Sequence, residues 1–190
     1  MALATQPPMT PEEFDRWALL PQNRDRRLEF IDGEVVELVT PSDASKIASR
    51  ISGYIFVYLQ QNDIGELTGA DGGYIVAGAR YIPDVAFIRY ARQTHPAAAY
   101  YPVAPDLAVE VISNPDNAQE LHDLRRKVSN YLSAGTVVWV VEREARTVEV
   151  HTPGQPVSLL GGDAALSGDA VLPGFMLKVA DIFPPQAPAE

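Results

Sequence analysis

The feature that most constrains the fold is an almost uninterrupted apolar run from Leu107 to Ile112 that contains one carboxylate, Glu110. The run lacks the alternation of apolar and polar residues that marks a strand with one solvent-exposed face. Near-continuous apolar strands are typical of sheets that are covered on both faces by helices. We therefore expect a central strand here, with Glu110 in the interior of the protein.

Other segments predict the remaining elements. Asp32-Gly33 lies between two alternating runs and is a strong signal for a hairpin. A second apolar strand is expected from Tyr81 to Ile88. Helices are predicted from Thr10, which is a good N-cap, from about residue 42 to 62, and from about residue 118 to 134, before Gly135. This order predicts an α/β fold, a mixed β-sheet flanked by α-helices.

Domain organisation and environment follow from simpler properties. The patterns predict a single domain over residues 10–183, with a flexible N-terminus at 1–9 and a flexible tail at 184–190. The chain has no cysteine, which excludes disulfides, thiolate zinc sites and thiol nucleophiles. No apolar stretch approaches the roughly 20 residues that a membrane span needs. We expect a soluble, cytoplasmic protein with no membrane association.

The net charge of -10 argues against tight, phosphate-driven binding of nucleic acid, although a local basic cleft stays open. Nucleotide-binding glycine loops and the Gly-x-Ser-x-Gly elbow of hydrolases are absent from the sequence. The three histidines are scattered, which disfavours a histidine metal cluster. A two-carboxylate glycosidase is disfavoured because neither acid discussed below has a tryptophan near it.

Glu110 is the most informative residue. A buried, unpaired carboxylate costs several kcal/mol, roughly, even after relaxation. Something must compensate it, and a cation, a metal ion or a raised pKa would each serve. Two ordinary interpretations stay open beside these: the strand could open onto solvent at Glu110, or Glu110 could form a structural ion pair with an arginine.

Asp84 follows Pro83 near the start of the other apolar strand, so two neighbouring strands could place Asp84 and Glu110 close together. Two converging carboxylates repel each other unless a proton or a divalent cation lies between them. Such oxygen ligands suit Mg²⁺ or Mn²⁺. The alternative is that Asp84 is only a turn residue after a proline.

Lys127 lies about a quarter-turn from the apolar stripe of the helix that follows Glu110. Its long side chain could reach towards the sheet. Asp123 stands four residues earlier, so an i, i+4 surface pair is the simpler interpretation from the residues alone.

Five segments together resemble the bacterial Uma2 family of predicted restriction endonucleases, in the PD-(D/E)xK nuclease superfamily. The resemblance covers nearly the whole chain, in the family's order. The segments are Phe30–Val36, Ile82–Phe87, Pro105–Ser113, Asp123–Val141 (at Asp123 to Lys127, Tyr131, Gly135 and Val138 to Val141) and Leu172–Phe183 (at Leu172 to Phe175 and Ala180 to Phe183).

The resemblance implies a restriction-endonuclease-like core in which Asp84 is the first acidic metal ligand and Glu110 the second. The superfamily lysine normally stands two residues after the glutamate, where this chain has Ile112. The resemblance suggests that Lys127 substitutes for it from the helix. Glu34, in the hairpin, would supply a further catalytic carboxylate, unless it is an exposed residue after a turn.

The implied function is that of an endonuclease that hydrolyses DNA phosphodiester bonds with Mg²⁺ or Mn²⁺. The implied contact with DNA is weak or local, and a homodimer is expected. The alternative is a non-catalytic homodimeric interaction module on the same fold, which keeps the carboxylates as relics or as a structural metal site.

Overall fold

The structure is a computed structural model that describes residues 9–23, 25–38, 41–93 and 100–185. The helices are Pro11–Ala18 (α1), Ser42–Leu59 (α2), Ala118–Ser133 (α3) and Val179–Ile182 (α4), with short 3-10 turns at Pro21–Asn23 and Tyr90–Arg92. The strands of the first half are Leu28–Ile31 (β1), Glu34–Glu37 (β2), Gly65–Gly69 (β3), Gly73–Val76 (β4), Ala79–Tyr81 (β5) and Val85–Arg89 (β6). Those of the second half are Tyr100–Tyr101 (β7), Leu107–Val111 (β8), Val137–Glu142 (β9), Thr147–His151 (β10), Ser158–Gly161 (β11), Ala165–Ser167 (β12) and Met176–Lys178 (β13). Most of the two predicted flexible ends, 1–9 and 184–190, lies outside the described residues.

The larger sheet has six strands in the order β11-β10-β9-β8-β6-β3. Strand β8 lies inside it, parallel to β9 and antiparallel to β6. All five residues of β8 are buried, as expected for a central strand. The predicted mixed sheet is therefore present, with Glu110 in its interior strand.

The two faces of this sheet are covered by different elements. Helix α2 and the segment from Leu166 to Phe183 pack on one face, against Val109 and Val111. Helix α3 and the smaller sheet pack on the other face, against Ala108 and its neighbours. Because side chains alternate along a strand, Glu110 points to the same face as Ala108. The sequence prediction of an α/β fold with helices on a mixed sheet is confirmed.

The smaller sheet has the strand order β2-β1-β5-β4-β7. Helix α1 covers its outer side, where the ring of Phe14 stacks on that of Phe30, with 4.9 Å between the ring centroids. Leu28 lies in this outer cluster as well, whereas Ile31 packs in the core beneath the larger sheet. The alternation along β1 therefore turns Glu29 inwards, towards the larger sheet.

One predicted strand is divided between the two sheets. The expected strand from Tyr81 to Ile88 is two strands, because β5 ends at Tyr81 in the smaller sheet and β6 begins at Val85 in the larger one. Pro83 lies between them, and its missing N–H cannot continue a ladder of hydrogen bonds. The corner at Pro83-Asp84 thus joins the two sheets beside the end of β8.

Two local predictions are confirmed by the backbone. Asp32 and Gly33 both have positive φ, 51° and 88°, as a two-residue type I′ hairpin turn requires. Helix α3 ends at Ser133, and Gly135 follows with a φ of 84°. Within the described residues, no helix combines the length and the hydrophobicity that crossing a bilayer would demand.

Candidate active site

Asp84 directly precedes β6, and Glu110 lies on β8, the antiparallel neighbour of β6. The register of β6 and β8 pairs Val85 with Val109 and Ala86 with Ala108. Asp84 lies in the bend directly before β6, close enough to Glu110 that its charge contributes to the raised pKa of the Glu110 carboxyl. The structure therefore brings together the two acids that the sequence predicted as metal ligands.

The position of Asp84 is fixed by its surroundings. Its Oδ2 accepts a hydrogen bond from the backbone N–H of Val111, at 2.9 Å. The guanidinium of Arg27 approaches Oδ1 at 4.0 Å. Burial raises the pKa of the Asp84 carboxyl, and the hydrogen bond from Val111 opposes that rise. Asp84 is thus more than a turn residue, since it bridges the ends of β6 and β8.

Lys127 is buried and not a surface residue. Its Nζ lies 2.9 Å from Glu110 Oε1, 3.0 Å from Glu110 Oε2 and 2.9 Å from Glu29 Oε1. The simpler sequence interpretation, a surface pair with Asp123, is wrong, because Asp123 instead lies 3.0 Å from Arg126. Helix α3 packs on the larger sheet through Val128 and Tyr131, and this orientation directs Lys127 inwards.

Glu29 is the member of the cluster that the sequence analysis missed. It is 2% exposed, and its Oε1 also accepts the backbone N–H of Ile82, at 2.8 Å. In the alternating hairpin pattern, Glu29 has the place of an outward-facing polar residue. Helix α3 and the larger sheet bury it, and both are formed by residues far away in the chain. The local sequence signal for its burial was its position between Leu28 and Phe30 in an otherwise apolar strand.

Glu34 does not join the cluster. It pairs with Ile31 across the hairpin, while Glu29 pairs with Val36, so all four side chains lie on one face. Glu34 stands at the turn end of that face, where it is exposed and outside the cavity described below. The hairpin carboxylate that lies in the cluster is thus that of Glu29, and the catalytic role predicted for Glu34 stays a prediction.

Two tyrosines complete the polar surroundings. The hydroxyl of Tyr131 donates a hydrogen bond to Glu110 Oε1 at 3.3 Å. Burial raises the pKa of the Tyr131 hydroxyl well above its usual value. The ring of Tyr81 lies with its centroid 5.4 Å from Lys127 Nζ, a cation–π distance. The hydroxyl of Tyr81 accepts a hydrogen bond from Asn130 Nδ2 at 2.7 Å. Glu110 and Lys127 are therefore held from several sides.

The charges in this cluster shift one another. Burial raises the pKa of Glu110 to about 7, against the attraction of Lys127, and the charges of Asp84 and Glu29 act in the same direction as burial. Burial opposes the charge of Lys127, but the carboxylates of Glu110 and Glu29 outweigh it and raise the pKa of the ammonium. The neighbouring carboxylates therefore favour the charged form of Lys127, whereas burial favours the protonated form of Glu110.

A cavity of about 430 Å³ opens over this cluster. Asp84 and the end of β8 line it, together with the hairpin of β1 and β2 and the first turns of α3. Among the described residues that line it, six are acidic and two are basic: Glu29, Glu37, Asp84, Glu110, Glu120 and Asp123, with Arg27 and Lys127. The cavity is therefore an acidic one, suited to cations more than to a bare polyanion.

Comparison with known proteins gives the family. A family model described as "Uma2: Putative restriction endonuclease" matches residues 11–180. The chain belongs to the Uma2 family. The resemblance noted in the sequence is thereby confirmed. Curated proteins yield no significant match.

A solved structure shares the fold of this Uma2 protein. It is a crystal structure described as that of "a putative nuclease belonging to DUF820", from Anabaena variabilis. The two superpose with a TM-score of 0.78 and 22% sequence identity, over 93% of this chain and 98% of that chain. At that identity the likeness shows a common fold.

The carboxylates that line the cavity of this Uma2 protein fit Mg²⁺ better than a metal ion that needs three or more protein ligands. Among the described residues, no group of three or more acidic or histidine side chains is arranged to hold a metal ion. Mg²⁺ does not need such a group, since it usually binds one or two carboxylates and keeps waters or substrate phosphate oxygens as its other ligands. The carboxylates of Asp84 and Glu110, which both line the open cavity, are donors of the kind that Mg²⁺ uses.

Proposed function

We propose that this Uma2 protein is an endonuclease that hydrolyses DNA phosphodiester bonds with the help of Mg²⁺ or Mn²⁺. The observation that carries the proposal is the juxtaposition of three side chains. Asp84 and Glu110 both line the cavity, and the ammonium of Lys127, which also lines it, lies within 3.0 Å of Glu110. Membership in a family whose description reads "Putative restriction endonuclease" supports the same chemistry.

In this proposal, Asp84 and Glu110 hold the metal ion. When bound, such an ion stabilises negative charge on the phosphate and lowers the pKa of a coordinated water. The residues of the chain do the rest. Lys127 supplies a fixed positive charge beside the phosphate, and Glu29 keeps the ammonium in place through the bond at 2.9 Å.

The contact with DNA is proposed to be local and weak without metal. Six carboxylates against two cations in the cavity lining would repel a phosphodiester backbone, as would the net charge of -10. A divalent ion reduces that repulsion at the place where the scissile phosphate must lie. We therefore expect DNA binding that requires divalent metal and weakens steeply with salt.

The test is cleavage of supercoiled plasmid by purified protein in Mg²⁺ or Mn²⁺. Wild-type protein should nick the plasmid, and Asp84→Asn and Glu110→Gln should not. Glu144→Gln is the matched control, because Glu144 is an exposed glutamate on the turn between β9 and β10. Equal traces of nicking by all four proteins would indicate a contaminant and overturn the proposal.

A non-catalytic, homodimeric interaction module is the second candidate. One observation favours it: Lys127 already balances Glu110 and Glu29, as a relic site with a purely structural role would require. Exposed apolar side chains on α2, at Tyr54, Phe56 and Val57, offer a surface for a second copy. The homodimer stays a prediction, and sedimentation equilibrium of wild-type protein and Val57→Glu would test it.

A further inference from the structure

Both carboxylate oxygens of Glu110 are already occupied. The ammonium of Lys127 lies 2.9 Å from Oε1 and 3.0 Å from Oε2, and the Tyr131 hydroxyl donates to Oε1. A small divalent cation binds a carboxylate oxygen at about 2.0–2.1 Å. It would compete with the ammonium for the same oxygens, and the two cations would repel each other.

Glu29 offers Lys127 a second place to bind. Glu29 is held by the N–H of Ile82 at 2.8 Å, and its Oε1 accepts from Lys127 at 2.9 Å. Because Glu29 is anchored to the backbone, it can keep the ammonium when Glu110 turns to another cation. This arrangement also accounts for a glutamate that is 2% exposed, which the fold would otherwise bury at a cost.

We propose that Lys127 is a built-in competitor of the metal ion. In the metal-free protein it neutralises Glu110, and metal binding displaces it from Glu110 while Glu29 retains it beside the site. Glu29 is then a positioning residue that acts through Lys127. The inference rests on the proposed function in one respect, because it takes Asp84 and Glu110 as the metal ligands.

The proposal makes an unusual prediction about affinity. Loss of Lys127 removes the competing cation and leaves two buried carboxylates without their shared cation. Lys127→Met should therefore bind Mn²⁺ about tenfold more tightly, towards the low end of the usual range for coupled sites. Asp84→Asn, which removes a ligand and leaves Lys127 in place, should bind Mn²⁺ far more weakly. Titration calorimetry with MnCl₂ in the absence of DNA measures both.

Glu29→Gln provides the sharper test. Without the charge of Glu29, Lys127 leaves Glu110 less readily, and we expect Mn²⁺ binding to weaken about tenfold. In the Lys127→Met background the same substitution should weaken binding less than about threefold, since no lysine remains to be held. If Glu29 were itself a metal ligand, it would weaken binding equally in both backgrounds.

Two results would overturn the proposal. One is a Lys127→Met protein whose Mn²⁺ affinity equals or falls below that of wild type. The other is an equal effect of Glu29→Gln with and without Lys127. Circular dichroism identifies any variant that fails to fold, and Lys127→Gln then replaces Lys127→Met. Plasmid cleavage is scored separately, so an inactive protein that shows this pattern of Mn²⁺ affinities would contradict the nuclease function and leave this inference standing.

Discussion

The ammonium of Lys127 lies 2.9 Å from Glu29 Oε1 and so joins helix α3 to strand β1 across 98 positions of the chain. Glu110 binds the same ammonium from the strand between β6 and β9. One lysine therefore ties together the larger sheet, the smaller sheet and the helix packed against them. The stability of the fold and the chemistry of the cavity depend on the same few charges.

Lys127→Met should destabilise the metal-free protein at pH 8. The substitution leaves Glu29 and Glu110 buried without their shared cation, and breaking a buried ion pair from one side costs about 3–5 kcal/mol. The free energy of unfolding, measured in urea, should fall by about that amount. Lys46→Met is the control, since Lys46 is exposed and pairs with the exposed Asp43, and it should change stability by less than about 1 kcal/mol. Equal effects of the two substitutions would contradict a buried role for Lys127.

Asn substitution of the aspartate in Pro83-Asp84 and in Pro105-Asp106 should change the stability of the protein by different amounts. In Asp84→Asn, an amide oxygen can still accept the N–H of Val111, and a charge that repels Glu110 is removed. We expect stability to change by less than about 1 kcal/mol or to increase. Asp106 accepts from the backbone N–H of Arg89 and from the guanidinium of Arg92, so Asp106→Asn should cost about 1–3 kcal/mol.

Chemical denaturation of both variants without metal measures this difference. An Asp84→Asn protein destabilised as much as Asp106→Asn would show that Asp84 has a structural role, and it would weaken the case for a metal ligand.

The stability of the metal-free protein should decrease with rising pH because of Glu110. Burial raises its pKa in the folded protein to about 7, from about 4.5 in an unperturbed chain. Between these two pH values the folded protein holds a proton that the unfolded chain has lost, so the free energy of unfolding falls as the pH rises. Urea melts at pH 5.5 and 7.5 should show a smaller decrease for Glu110→Gln than for wild type. An equal decrease in both proteins would contradict the raised pKa.

Substitution of Glu29 should reduce plasmid cleavage, whereas substitution of Glu34 should not. Glu29 holds Lys127, and loss of such a supporting contact typically costs about 10–100-fold in metal affinity or activity. Glu34 is exposed and outside the cavity. Plasmid cleavage at limiting Mn²⁺ should therefore fall at least about tenfold in Glu29→Gln and stay within about twofold of wild type in Glu34→Gln. The reverse order would restore Glu34 as the hairpin carboxylate of the site.

Local chemistry made much of the fold predictable. The apolar run around Glu110 indicated a strand covered on both faces, and β8 is such a strand. Asp32-Gly33 adopts the positive φ angles that its turn needs, and Gly135 follows the end of α3. In each case residues that are adjacent in sequence determine the backbone conformation.

Features that depend on distant packing escaped the sequence analysis. The alternation of apolar and polar residues around Glu29 is the same whether a helix or water covers the strand. The burial of Glu29 could therefore not be predicted from this pattern. Lys127 had a charged neighbour at helical spacing, and only the packing of α3 shows which partner it takes. Likewise, Tyr81 and Val85 belong to different sheets although the apolar pattern runs through Pro83.

The most direct test of the account is a crystal structure of the protein soaked in MnCl₂, with anomalous scattering recorded to locate the metal. We expect an anomalous peak between the carboxylates of Asp84 and Glu110, with Lys127 retained by Glu29 and withdrawn from Glu110. A peak only at other surface carboxylates, with Lys127 still bound to both oxygens of Glu110, would contradict the shared metal site.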